Sequence, residues 1–357
     1  MRTLLRRFDR FRRDNTEALA RWAYRLLGRD RFLLDERLTD DQVRRILVLR
    51  NNKRIGNMYF MLPFLSGLRR AYPDAVIELM VINTQQAAIF KHLDIDRVIV
   101  SDFSFYTAWQ FIKVMREHRR HVYDLLIMPH SSASDTIIGG LIHARNKIAF
   151  WGDETSGVYR HSFNVKPNNP HAALSALTLL DELGHRQAEI PNHQMVFSDE
   201  EGVHARELVA KFRGQADYCF AYFRGARGNK IVPDADWARI RKLFDAAVDS
   251  QISWVEILSP DIRNPLAEGT RTFESADLRQ LGCLLKHCDL FICADTGPLH
   301  LADAAGARCV GLFTATPIEH YGCLGKQTVN VQDLAKLDAN EILTKLIPHR
   351  FASGSTA

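Results

Sequence analysis

The sequence predicts an α/β protein built from two doubly wound parallel-sheet domains facing one cleft, preceded by a basic helical arm. Three observations predict it. The chain has 357 residues, 46% of them hydrophobic and 25% charged, which is ordinary globular composition at a length that suits two domains of roughly 150 residues. Short apolar runs alternate with helical stretches, a pattern that means a parallel sheet with helices on both faces. That alternation occurs twice, on either side of a polar connection.

The arm comes first, over residues 1–44. Residues 1–50 hold fourteen arginines, no lysine and eight Asp or Glu, a net +6 against +5 for the whole chain. The basic excess therefore belongs to this segment. Leu4, Leu5, Phe8 and Phe11 fall near one helical face, Trp22, Leu26 and Leu27 continue the theme, and Gly28 suits a C-cap. Such a helix suits an anionic membrane surface through residues 1–30. It would equally suit docking on its own domain or on a second subunit. No nucleic-acid motif accompanies the charge. No apolar core follows the first basic residues, and no window nears ~18 apolar residues, so a cytoplasmic chain without a membrane span is expected.

The first domain is expected over 45–185. Strands are predicted at 46–49, 76–82, 97–100, 125–128 and 147–150. Helices are predicted at 58–71, 85–93, 106–117 and 135–143, each apolar on one face. Residues 151–170 read as loop, and a helix at 172–183 ends at Gly184. The second domain is expected over 186–335, with strands at 218–223, 252–258, 290–293 and 310–313. Its helices are predicted at 234–249, 277–287 and 299–305. A last helix at 338–347 and a disordered tail complete residues 336–357. All six cysteines lie in the second half without zinc spacing and read as reduced, buried small hydrophobes, so no metal is expected.

Ligands of open α/β sheets bind at the carboxyl ends of the strands. Three loops there carry chemistry. Asp295, Thr296 and Gly297 follow the strand at 290–293. Gly297 permits close approach, and Pro298 opens a helix whose free N–H groups attract phosphate. Thr296 can donate to the same oxygens. Asp295 would repel them, so it reads as a cap or an acceptor of sugar hydroxyls. His300 lies one turn into the helix. The second loop, 221–233, is glycine-rich and carries Arg224, Gly225, Arg227 and Lys230, a set suited to a diphosphate. The third, 47–65, offers Arg50, Lys53 and Arg54 to an anionic acceptor, then Gly56 and Asn57 at a helix start, where Asn57 also reads as an N-cap. Neither a G-x-G-x-x-G nor a G-x-x-x-x-G-K-[ST] follows a predicted strand.

These residues carry a resemblance. From about residue 45 to 335 the chain resembles glycosyltransferase family 9, the bacterial lipopolysaccharide heptosyltransferases. The resemblance rests on the D-T-G-x-x-H-L-A run of 295–302, the 312–317 segment, the 56–63 segment and the K-x-x-P of 230–233. It implies the GT-B fold, with the acceptor on the first Rossmann-like domain and a nucleotide-sugar on the second. It implies inversion at the anomeric carbon, no bound metal or cofactor, and ADP-heptose as donor to a lipid-linked anionic glycan. The enzyme would work at the inner face of the cytoplasmic membrane. Lys230 corresponds to the family's phosphate-facing lysine, and Asp261 is placed to hold sugar hydroxyls.

One departure matters. The family usually has Gly-Asp where this chain has Gly56-Asn57, and that aspartate is the candidate base. An amide cannot take a proton at neutral pH. His130, directly after the strand at 125–128, is the substitute by position, with Asp135 and Asp153 behind it. The alternatives are a catalytically silent nucleotide-sugar- or glycan-binding relative and another enzyme of this fold, such as a nucleotide-sugar epimerase.

Overall fold

In the computed structural model, residues 28–348 are described apart from 53, 102–107, 131, 153–156, 261 and 263. The predicted helical arm through residue 27, the tail from 349, Lys53, Asp153 and Asp261 lie outside the described residues.

Two parallel sheets form the frame. The first contains β1 (Arg45–Leu49), β2 (Val76–Val81), β3 (Arg97–Val100), β4 (Tyr123–Met128) and β5 (Ala144–Ala149), in the order β3-β2-β1-β4-β5. The second contains β6 (Tyr218–Phe223), β7 (Ile252–Ile257), β8 (Arg271–Phe273), β9 (Leu290–Ala294), β10 (Cys309–Leu312) and β11 (Thr328–Val331), in the order β11-β10-β9-β6-β7-β8. Numbered within itself, the second sheet repeats the 3-2-1-4-5 order of the first and adds one strand. Each is a doubly wound sheet whose strand order reverses beside its first strand, at β1/β4 and at β6/β9.

The strands are apolar on both faces because helices cover both. In β1, Ile46 and Val48 join one apolar cluster and Leu47 and Leu49 the other. The first face is covered by α1 (Gly56–Tyr59), α2 (Leu62–Ala71) and α3 (Thr84–Ile89), the second by α4 (Ala108–His118) and α5 (Ala133–Leu141). The helix predicted at 58–71 is two, broken at Phe60 and Met61, with Pro63 in the first turn of α2. α6 (Leu177–Glu182) packs back on α2.

The second domain opens with α7 (Asp199–Arg213), a helix that the sequence reading does not predict. Ser198 caps it and Glu201 reaches back to the Ser198 N–H, a complete capping box. Then come α8 (Asp234–Ala246), α9 (Leu278–His287), α10 (Gly297–Ala305), α11 (Ile318–Tyr321) and α12 (Ala339–Leu346). Ile342, Leu343 and Leu346 of α12 bury against Trp237, Ile240 and Phe244 of α8, so the second domain continues past residue 335. The first domain likewise starts before residue 45. Leu34 donates to the Arg145 carbonyl (2.9 Å), and Asp30 meets the buried Lys147 ammonium at 2.9 Å, so residues 30–38 line β5.

The domains share one apolar cluster. Arg279 of α9, 4% exposed, locks them. It pairs with Glu201 (2.6 Å) and donates to the carbonyl of Ala88 in α3 (3.1 Å). No described helix is long and apolar enough to cross a membrane.

Candidate functional site

The carboxyl ends of both sheets open towards the junction of the domains, and the second domain's strand reversal carries the tightest cluster. β9 ends at Ala294, and Asp295 follows, 3% exposed. One of its oxygens accepts from Lys230 Nζ (2.6 Å) and Thr316 Oγ1 (2.5 Å), the other from His300 Nε2 (3.0 Å). Burial alone would push this carboxyl up. The hydrogen bonds from His300, Lys230 and Thr316 outweigh it and hold the group far below the usual carboxylate range. Asp295 therefore stays ionised, caps nothing, and fixes the head of Lys230, whose side chain remains one third exposed.

The neighbours differ from their predicted roles. Thr296 is the N-cap residue of α10, but its hydroxyl donates to the Ala294 carbonyl (3.2 Å), not to a phosphate position. Arg224 is engaged on every side: Glu256 at 2.5 Å, Asp234 at 2.7 Å and the Asn264 carbonyl at 2.8 Å. Glu256, fully buried in β7, also takes the Tyr222 hydroxyl and the Leu266 N–H. Arg224 thus staples the loop after β7 to β6 and is not a free diphosphate ligand. Gly225 answers a packing need, since a Cβ there would sit 2.1 Å from the Phe223 ring.

The first domain's strand reversal holds the second cluster. Arg50 and Asn51 follow β1, His130 follows β4, and Asp135 lies in the first turn of α5. Asp135 Oδ1 accepts from the Asn51 N–H (2.7 Å), and Asn51 Nδ2 donates to the Ser101 carbonyl (2.8 Å). Arg50 Nε, Asn51 Oδ1, Ser101 Oγ, His130 Nε2 and Asp135 Oδ2 are buried and have no hydrogen-bond partner among the described residues. Five such atoms at the carboxyl edge of one sheet mark a polar site, because buried polar groups are ordinarily satisfied.

Its electrostatics reverse the predicted order of bases. Burial, then the Arg50 charge, lowers His130 to about 3, so its imidazole is neutral at pH 7 and a poor proton acceptor. Burial raises Asp135 to about 6 against the opposing Asn51 N–H, Arg50 and Ser132. Arg50 is 5% exposed and faces this cluster, not open solvent; Arg54 is exposed. Asn57 is the second residue of α1, so it is not the cap.

The segments after β1 and β9 meet through two glycines. Gly56, at the start of α1, and Gly297, at the start of α10, meet across the cleft. A Cβ on Gly56 would lie 3.6 Å from Gly297 Cα and 3.8 Å from His300 Cδ2. Phe60 sets its ring edge-on to His300, centroids 4.8 Å apart. The structure thus brings together Gly56, Lys230, Asp295, Gly297 and His300 of the predicted set, and Arg50, His130 and Asp135 in a second group. Nothing in the local pattern singles out Phe60, Asn51 or Ser101. Thr316 lies within the 312–317 segment, so its signal was present.

The curated lipopolysaccharide heptosyltransferase 3 of Escherichia coli K12 is 23% identical over 288 residues, covering 73% of this chain and 80% of that protein. Solved structures share the fold. A glycosyltransferase family 9 protein of Veillonella parvula gives a TM-score of 0.71 at 20% identity, covering 85% of this chain and 90% of that one. The E. coli ADP-heptose lipopolysaccharide heptosyltransferase II gives 0.66 at 15% identity, covering 87% and 100%. The sequence model of glycosyltransferase family 9 (heptosyltransferase) matches residues 111–345, well over half of the chain. With its two doubly wound domains and the Lys230–Asp295–His300 cluster at their junction, the chain belongs to glycosyltransferase family 9.

Proposed function

We propose that this glycosyltransferase moves a heptose from ADP-heptose to a sugar of a lipopolysaccharide core acceptor, with inversion and without a bound metal, at the inner face of the cytoplasmic membrane. The observation that carries the reading is the meeting of Gly56, in the segment after β1, with Gly297 and His300, in the segment after β9. One cluster presents a cation held in place by an ionised carboxylate; the other holds buried polar atoms that have no partner among the described residues. The names of the E. coli relatives supply the donor and acceptor classes.

In this mechanism the acceptor hydroxyl oxygen bonds to the anomeric carbon from the face opposite the diphosphate. The bond from that carbon to the diphosphate oxygen breaks, and its electron pair leaves with the diphosphate. Lys230 and the amino end of α10 face the charge that develops there, the kind of preorganised stabilisation that acts in the transition state. The hydroxyl proton goes to Asp135 through one water, since Oδ2 has no partner among the described residues and its pKa of about 6 lies near working pH. Arg50 keeps that carboxyl from rising further. Asp261 remains a candidate for the donor's sugar hydroxyls.

Asn57 favours one other reading, a relative that binds a nucleotide-sugar and transfers nothing. A panel of nucleotide-sugars, scored for thermal stabilisation and for transfer to lipid A-linked core acceptors, separates the two. Stabilisation by ADP-heptose with transfer is expected. Stabilisation without transfer to any acceptor would favour the silent relative. Stabilisation by another nucleotide-sugar with transfer would change the substrate and keep the mechanism.

A further inference from the structure

α4 is amphipathic in an unusual sense. Phe111 and Met115 bury against the second face of the first sheet. The opposite side carries Trp109, Ile112, Lys113, Arg116 and, just past the helix, Arg120, at spacings of three, four, seven and eleven from Trp109. These positions fall on one stripe of an α-helix. Trp109 is 74% exposed and Ile112 41%. The only carboxylate of the helix, Glu117, is paired with Arg97 (3.0 Å), so it does not offset the stripe.

The stripe lies on the sheet face opposite the one the second domain meets. The second domain meets α1 and α3, which cover the other face of the sheet. α4 follows β3, so its Trp109 end lies at the carboxyl edge of the sheet, where the cleft opens. Charge does not favour the basic arm as its cover. Residues 1–27 carry eight arginines against three Asp or Glu, the same sign as the stripe. A cover must bring negative charge and an apolar layer together. Aromatic and aliphatic side chains ringed by Lys and Arg match the boundary between anionic headgroups and acyl chains.

We propose that the outer face of α4, through Trp109, Ile112, Lys113, Arg116 and Arg120, docks the first domain on an anionic lipid bilayer and sets the cleft mouth against it. This contact is separate from the arm and does not depend on which sugar is transferred. Each cation near such a surface is worth about a fivefold change in partition.

The test uses the full chain and vesicles of phosphatidylcholine with or without phosphatidylglycerol, by co-sedimentation at low and high salt. Three variants are compared: Trp109→Ser, the double variant Lys113→Glu/Arg116→Glu, and a control of equal charge change on exposed second-domain cations, Lys242→Glu/Lys345→Glu. The double variant should lose at least tenfold in binding to the anionic vesicles and Trp109→Ser several-fold, with the control within twofold of wild type. Quenching of tryptophan fluorescence by brominated lipid should fall in Trp109→Ser. Thermal unfolding and transfer to a water-soluble acceptor should be unchanged in all three, which separates this test from that of the transfer reaction. Equal losses in the control, or wild-type vesicle binding by both face variants, would overturn the proposal. So would retention on duplex RNA by a wild-type protein that ignores anionic vesicles.

Discussion

Gly56 and Gly297 face each other across the junction of the two domains, and each leaves room for little more than a methyl group. The would-be Cβ of Gly56 meets Gly297 Cα at 3.6 Å, and that of Gly297 meets Ile55 Cγ2 at 3.5 Å. Both are ordinary contact distances. Gly56→Ala should therefore fold and turn over nearly as the wild type does. Gly56→Leu needs several more ångströms, so it should part α1 from α10, lift Phe60 from His300 and cut turnover at least tenfold. Small-angle scattering and steady-state kinetics on both variants check this; equal activity in the two would show that the contact is incidental.

Asp135 sets the pH behaviour. Its folded pKa of about 6 lies above its ordinary value of 3.8, so the folded state binds the proton more tightly than the unfolded one. This contribution to stability is fully present below pH 3.8 and is lost as pH rises through about 6. Asp135→Asn keeps the acceptor for the Asn51 N–H and should remove that slope from a series of unfolding curves. In the same variant kcat should fall at least 100-fold, and the acid limb of the wild-type rate profile, near pH 6, should be gone. His130→Gln should keep the limb. A limb that survives in Asp135→Asn would move the base elsewhere.

Arg279 holds the domains together. It is buried, doubly paired with Glu201, and bonded to α3 backbone. Removing one partner of such a pair costs about 3–5 kcal/mol, so Arg279→Ala should lower the unfolding free energy on that scale. Glu201 is lowered from 4.5 to about 2, chiefly by Arg279. Its contribution is present above pH 4.5 and is lost as pH falls towards 2. The variant should show a flatter stability profile across that acid window in denaturant titrations.

Much of the fold is legible in the residues. The strand at 97–100 and the one at 218–223 fall where they are expected, because β-branched and aromatic runs bounded by turns have few other uses. β8 and β11 escape the pattern. β8 is three residues, two of them exposed, and β11 reads T-V-N-V. α7 announces itself only through Ser198 and Glu201, a capping box lying inside a stretch otherwise rich in turn residues. At the site, Lys230, Asp295 and His300 are legible because they sit at strand ends. The role of Arg224 is not, since its partner Glu256 is a lone acid in an apolar strand 32 residues away. Likewise His130 has the right position for a base, and only its burial beside Arg50 disqualifies it.

Lys230 carries the heaviest demand of the proposed mechanism. Its ammonium lies 2.6 Å from an Asp295 held ionised by His300 and Thr316, and the proposed mechanism turns it towards the departing diphosphate. The most direct measurement is single-turnover transfer from ADP-heptose to a core acceptor by wild type and Lys230→Ala, with donor affinity measured alongside. The account predicts transfer by the wild type and a chemical step slowed about 100-fold or more in the variant, with unchanged thermal unfolding. Transfer at the wild-type rate in folded Lys230→Ala would contradict it.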